Sequence, residues 1–373
     1  MSEKEYYNNP YCQNIETEIV EITTKGLVLS STISYPEGGG QPGDSGTINA
    51  SPYSDTQLID SKIVHVIESE GFKVGEKVKL TINWSHRYFF MKQHTAQHML
   101  SGLFFTLFNI GTVSVHQGVD ILTIETDKAE ISQEILFALE DAVNQKIRDN
   151  HKVTYLSHLT LEEAEELNLR RSIKVDSDVR IVQIEGVDQI ACGGLHVNST
   201  AEVEQVCYVG QEVIRGHVRT IWKVADKAKQ AMRQNAEIVE RVGQKLSAQP
   251  LNILSSLDKL WEEKESLASE NRKLVHQMAS LIYESHKNEI AFISPIPVSA
   301  FVDKINKETF ILYEGEDKAN WLYYGTKAKF QALLAQIQPF GVKGGGREPL
   351  FQGMVKKELT EQFFNTVKEN LGE

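Results

Sequence analysis

Near Trp222 the hydrophobic pattern of the chain changes period, and one core cannot serve both patterns. Up to that point apolar residues come in short runs such as Leu58 to Ile67 and Lys77 to Trp84, which read as strands broken by turns. Beyond it Val224, Ala228, Ala231, Asn235, Ile238 and Val242 recur in alternating steps of four and three, the signature of a long helix. Pro250 interrupts the pattern, which resumes through Leu257, Leu260, Lys264, Leu267, Asn271, Leu274, Met278 and Leu281. The matched arms favour an antiparallel hairpin turned at Pro250; polar Lys264 and Asn271 on the seam would instead set the register of a dimer with a second copy. Ser294-Pro295-Ile296-Pro297 then reads as a linker into a last small domain. At 373 residues the chain exceeds one ordinary core, so an α+β protein of several domains is expected. The reading places a small β-barrel over 1–85, a mixed α/β domain over 86–221, a helical hairpin stalk over 222–289 and an α/β domain over 290–373.

Within these, Tyr35-Pro36-Glu37-Gly38-Gly39-Gly40-Gln41-Pro42-Gly43 is too rich in glycine to be strand or helix. His86 to Phe108 reads as one helix ended by Asn109 to Gly111, and Ile131 to Asp149 as a second. Val113 to Ile124, Lys152 to Leu159 and Val179 to Ile184 read as strands, and Thr160 to Asn168 as a helix. Met1 to Pro10 has no apolar signal-peptide core and no run approaches the ~20 residues of a membrane span, so a cytoplasmic protein is expected. Three cysteines, Cys12, Cys192 and Cys207, make no disulfide framework. The net charge of -12 argues against binding nucleic acid over the whole surface. A local basic face survives from Arg215 to Lys245, where eight Lys and Arg face three acids.

Chemistry concentrates in two places. His94-Thr95-Ala96-Gln97-His98 sets two imidazoles four apart on one helix face, the way a helix offers two metal ligands. Cys192-Gly193-Gly194-Leu195-His196 brackets a glycine turn with a thiol and an imidazole. Together they supply three nitrogens and a sulfur, a set suited to tetrahedral Zn2+. No glutamate stands between the helical histidines, which excludes the HExxH peptidases.

These blocks resemble the editing domain of alanyl-tRNA synthetase and its freestanding relatives, the AlaX proteins, with a related module, the second additional domain, in threonyl-tRNA synthetase. The family's HTAxHLL motif is matched by His94 to Leu100, its CGGTH motif by Cys192 to His196, and its glycine loop by Tyr35 to Gly46. Arg180 to Asp188 is similar to the strand and turn that lead to the cysteine. The remainder resembles the synthetase's C-terminal stalk and DHH-associated domain, with Gly341-Val342-Lys343-Gly344-Gly345-Gly346-Arg347 as its glycine and lysine signature; Glu348-Pro349-Leu350-Phe351 departs from that pattern.

The resemblance implies an ATP-independent trans-editing hydrolase, a long-form AlaX, that deacylates mischarged alanine tRNA, with Ser-tRNA(Ala) the first candidate and Gly-tRNA(Ala) the second. It leaves no room upstream for an aminoacylation domain. The implied metal ligands are His94, His98, Cys192 and His196, and the implied catalytic set is Thr32, Gly39, Gln41, His94 and Cys192. Gly39 would let the loop backbone approach the ester, Gln41 would donate to the substrate, and Thr32 would bond the serine hydroxyl and so spare alanine. Four ligands fill a tetrahedral shell, so the zinc is expected to organise the site rather than activate water. Leu195 replaces the motif threonine and Ser199 a following asparagine, which bears on amino-acid preference. Arg87, Lys92, Lys223, Arg233, Lys343 and Arg347 are candidate tRNA contacts, and the C-terminal half is a candidate homodimer interface. The alternative is a zinc-stabilised tRNA-binding module without hydrolysis; the catalytic Asp-His-His of a phosphoesterase is missing.

Overall fold

The computed structural model describes residues 2–167, 169–173 and 179–372. The chain forms two compact units, Met1–Val239 and Glu240–Glu373, and the division falls inside the helix Asp226–Leu246.

In the first unit a seven-stranded sheet runs Ser51–Tyr53, Gly46–Ile48, Lys77–Ile82, Asn14–Thr23, Gly26–Leu29, Lys62–Val66, Asp55–Ile59 in hydrogen-bonded order, curled over a core of Ile19, Leu27, Leu29, Tyr53 and Leu80. The expected β-barrel is corrected here: the sheet is open. Its edge strands, Ser51–Tyr53 and Asp55–Ile59, are joined by Ser54 alone yet do not pair, so the sheet curls until its edges meet at one residue. The first of these edge strands is three residues long and its middle residue, Pro52, has no N–H to offer a ladder.

The helix α1 (Trp84–Phe108) follows at once. Asn83 caps it by accepting from the His86 N–H, and Asn109 ends it in the left-handed conformation, close to the expected bounds. Every residue from Phe90 to Phe104 is buried, because α1 is covered by the helix α2 (Gln133–Asp149) and by a four-stranded antiparallel sheet. That sheet runs Thr112–Gln117, Leu122–Thr126, His217–Val224, Val206–Ile214. Its first two strands form a hairpin where the sequence suggested one strand through Ile124. A three-stranded sheet, Val153–Leu159, Val179–Ile184 and Asp188–Ala191, leads directly into Cys192. The expected helix from Thr160 is short, Leu161–Glu165, and its last expected residue, Asn168, lies outside the described residues.

In the second unit, the helix α4 (Ile253–Ser285) follows α3 (Asp226–Leu246) after a turn that starts at Pro250. Leu257, Leu260, Leu267, Leu274 and Leu281 of α4 are exposed. A five-stranded sheet ends in the edge strand Lys343–Arg347, beside Leu350–Lys356 and Lys318–Tyr324. Across these strands Trp321, Gly353 and Gly344 stand in one row, and a Cβ at Gly344 would sit 2.5 Å from the Trp321 ring. The glycine there makes room for a fully buried indole.

Candidate metal centre

The four residues expected as ligands come together at the centre of the first unit. His94 and His98 project from α1, Cys192 and His196 from the turn after the strand Asp188–Ala191, and their ligand atoms all lie within 4.8 Å of one another. Each imidazole is oriented through its Nδ1. His94 Nδ1 donates to Gln41 Oε1 at 2.9 Å, and His196 Nδ1 donates to Thr95 Oγ1 at 3.2 Å. His98 Nδ1 stands 3.2 Å from Asp188 Oδ2, an ion-pair contact without hydrogen-bond geometry, and Arg170 pairs with the other Asp188 oxygen at 2.8 Å. Every histidine therefore keeps Nε2 as its ligand atom. Cys192 Sγ lies 3.4 Å from His94 Nε2 and 3.6 Å from His196 Nε2. Zinc–nitrogen and zinc–sulfur bonds at tetrahedral angles put these atoms about 3.6 Å apart, so the donor set fits such an ion in both chemistry and spacing.

Electrostatics favour the ligand form of the thiol. Burial resists ionisation of Cys192, but the neighbouring His94 and His98 and the polar contacts with His196 and His94 hold its thiol well below the ordinary range. Burial would likewise raise Asp188, yet His98 and Arg170 keep its carboxyl below the usual value. The turn itself demands a glycine at 194, where a Cβ would lie 2.0 Å from the His94 ring.

Two adjoining cavities open on the cluster. One of about 210 Å³ is lined by Gly39, Gln97, Thr112 and Gly193 with the ligands His94, His98 and Cys192. The other, of about 700 Å³, is lined by Tyr7, His158 and Arg180, and the two share Gly39, Arg171, Cys192 and Gly193. A larger groove of about 1220 Å³ lies behind Asp188 and touches none of the four ligands.

The remaining expected residues divide. Gly39 sits exposed at the tip of the two-residue turn between Gly38 and Gln41, at the mouth of both cavities. Gln41 is buried, and its Oε1 is taken by His94 and by the Leu195 N–H at 2.9 Å, so its carbonyl end orients a ligand. Thr32 is buried beside His65, with Oγ1 2.9 Å from His65 Nε2, and lines neither cavity. Arg87 is corrected: it is wholly buried, paired with Asp44 and donating to the carbonyls of Pro10 and Ile33, and cannot reach a phosphate. Lys92 is nearly buried and already paired with Glu204. Lys223 is half-buried, and Arg233, Lys343 and Arg347 are exposed. The sequence patterns assigned no role to Asp188, Arg170, Thr95, Arg180 or Tyr7; Thr95 lay inside the histidine motif, and Arg180 and Asp188 bounded the stretch before the cysteine.

Residues 2–86 match the family of class II (A) tRNA synthetases. Over its full length the chain is 30% identical to the alanyl-tRNA editing protein AlaX-L of Pyrococcus horikoshii and covers 98% of it. It is 26% identical, over 99% of its own length, to the alanine–tRNA ligase of Sulfurisphaera tokodaii, of which it spans 44%. To the alanyl-tRNA editing protein Aarsd1 of Danio rerio it is 29% identical over 72% of its length, spanning 66% of that protein. With the histidine and cysteine motifs meeting in one cluster and the match running from end to end, the chain belongs to the alanyl-tRNA editing proteins of the AlaX type.

Proposed function

We propose that this protein hydrolyses the ester of a wrongly attached amino acid on alanine tRNA, releasing the amino acid and leaving intact tRNA. The observation that carries the reading is the pair of adjoining cavities over the ligand cluster. The ester carbonyl would occupy the smaller, and the ribose and terminal nucleotide the larger, where Arg171 favours a phosphate. His94, His98, Cys192 and His196 would hold a zinc ion which, with its shell filled by four protein ligands, supplies a fixed charge and a rigid frame. Gln41, Thr95 and Asp188 keep the three imidazoles aimed inward. Serine is the first candidate amino acid and glycine the second.

Lys223, Arg233, Lys343 and Arg347 are proposed as tRNA contacts outside the site, and the exposed apolar seam of α4 as the face of a homodimer, which sedimentation of the full chain would reject by finding a monomer. Among the described residues no helix is long and apolar enough to cross a membrane, and the proposed place of action is the cytoplasm, where charged tRNA is found. The function is tested by incubating purified protein with Ser-charged and Ala-charged alanine tRNA beside a Cys192→Ala variant. Release of serine alone, lost in the variant, is expected; tRNA binding with no release of either amino acid would replace the hydrolase by a binding module.

A further inference from the structure

Three consecutive peptide planes in the metal turn face the same way. Arg180 Nη1 donates to the carbonyls of Cys192 at 2.8 Å and Gly194 at 2.9 Å, and the Tyr7 hydroxyl donates to the carbonyl of Gly193 at 2.9 Å. The guanidinium is itself held between two rings, 4.8 Å from the centroid of Tyr7 and 4.2 Å from that of Tyr155. In a trans peptide the C=O and the following N–H point in opposite directions. Drawing three carbonyls toward Arg180 and Tyr7 therefore turns the N–H groups of Gly193, Gly194 and Leu195 to the other side. Two of them find acceptors there: Gly194 N–H points at Cys192 Sγ at 3.3 Å, and Leu195 N–H at Gln41 Oε1 at 2.9 Å. Gly193 N–H has no acceptor among the described residues, and Gly193 lines both cavities.

We propose that the Gly193 N–H is the oxyanion donor of the hydrolysis, and that Arg180 and Tyr7 are positioning residues that hold it turned into the cavity. The inference rests on the hydrolase reading given under the proposed function. The oxygen of water bonds to the ester carbon while the carbonyl electron pair moves onto oxygen, and that oxyanion accepts from Gly193 N–H. Collapse re-forms the carbonyl and breaks the bond to the ribose oxygen, which takes the proton the water gave up. Four protein ligands would fill the shell of a bound zinc ion, so the oxyanion would need a donor from the chain, and a backbone N–H fixed before the reaction supplies one without reorganisation. Sterics do not require glycine at 193: a Cβ there would meet only Tyr7 Oη at an ordinary 3.5 Å. Its absence clears the approach to the N–H.

The test replaces Gly193 by glycolic acid, which exchanges the N–H for an ester oxygen, and in parallel makes Arg180→Met in the full chain. Measured are kcat and KM for Ser-charged alanine tRNA, metal per chain, and inhibition by two analogues of seryl-adenosine, a charged tetrahedral phosphonate and a neutral amide. For the glycolate chain kcat is expected to fall about 100-fold with KM within about threefold, and the phosphonate to weaken by a similar factor while the amide binds as before. Arg180→Met should move the same quantities in the same direction by less. Unchanged kcat in the glycolate chain, equal weakening of both analogues, or loss of metal would each overturn the assignment by giving Gly193 no role or a structural one. A wild-type chain that releases no amino acid would overturn the hydrolase reading along with it; where the wild-type chain does release serine, those three outcomes overturn the role of Gly193 alone.

Discussion

Two segments of this chain look alike in sequence and are glycine-rich for different reasons. In the turn Cys192 to His196 the glycine at 194 yields its space to the ring of a candidate ligand, His94. In the strand Lys343–Arg347 the glycine at 344 yields its space to Trp321, a core residue. In each case an aromatic ring lies where a side chain would be, but only the first ring belongs to the candidate metal cluster. A glycine signature thus reports that something large comes close, and the identity of the visitor decides between function and packing.

That comparison breaks most sharply at Gly194. Gly194→Ala should abolish serine release and metal retention together, because the methyl and the His94 ring cannot share one place; a folded, metal-loaded and active variant would refute the steric account. Next in size is a buried imidazole outside both segments. Burial lowers the His65 pKa from 6.5 to about 4, so the unfolded chain takes up the proton first. Stability is then complete above pH 6.5 and falls as the pH drops from 6.5 toward 4, by at most about 3 kcal/mol, which His65→Gln should flatten in acid denaturation curves. Asp188→Asn should leave the fold in place and weaken metal binding about 10- to 100-fold in chelator competition, since it loosens His98 without removing it. Smallest for function is Gly344→Ala, expected to cost about 1–3 kcal/mol in denaturant unfolding with serine release at the wild-type rate. A loss of turnover there, with stability kept, would move the strand from packing to function.

The meeting of His94, His98, Cys192 and His196 was legible because metal chemistry restricts residue type so narrowly: three imidazoles and a thiol at suitable spacings have few other uses. The helix α1 was legible for its period and its Asn109 stop. Arg87 was not, because a charge reads the same whether exposed or buried, and its partner Asp44 is 43 residues away in the sequence. Arg180 read as part of a strand and not as a clamp, for the same reason: its hydrogen bonds go to backbone carbonyls, which have no letter in a sequence. Closure of the first sheet depends on whether its two edge strands pair, and strands that follow each other across Ser54 read the same in sequence whether they pair or not.

The burial of α1 from Phe90 to Phe104 has a consequence in time as well as in space. Its backbone amides are shut away from water along nearly four turns, so their deuterium exchange must wait for the first unit to open as a whole. His94 and His98 ride on that segment. Two of the four residues that would hold an ion thus sit on the most protected segment of the unit, and any route for the ion runs through the cavities that open on Cys192 rather than through the helix.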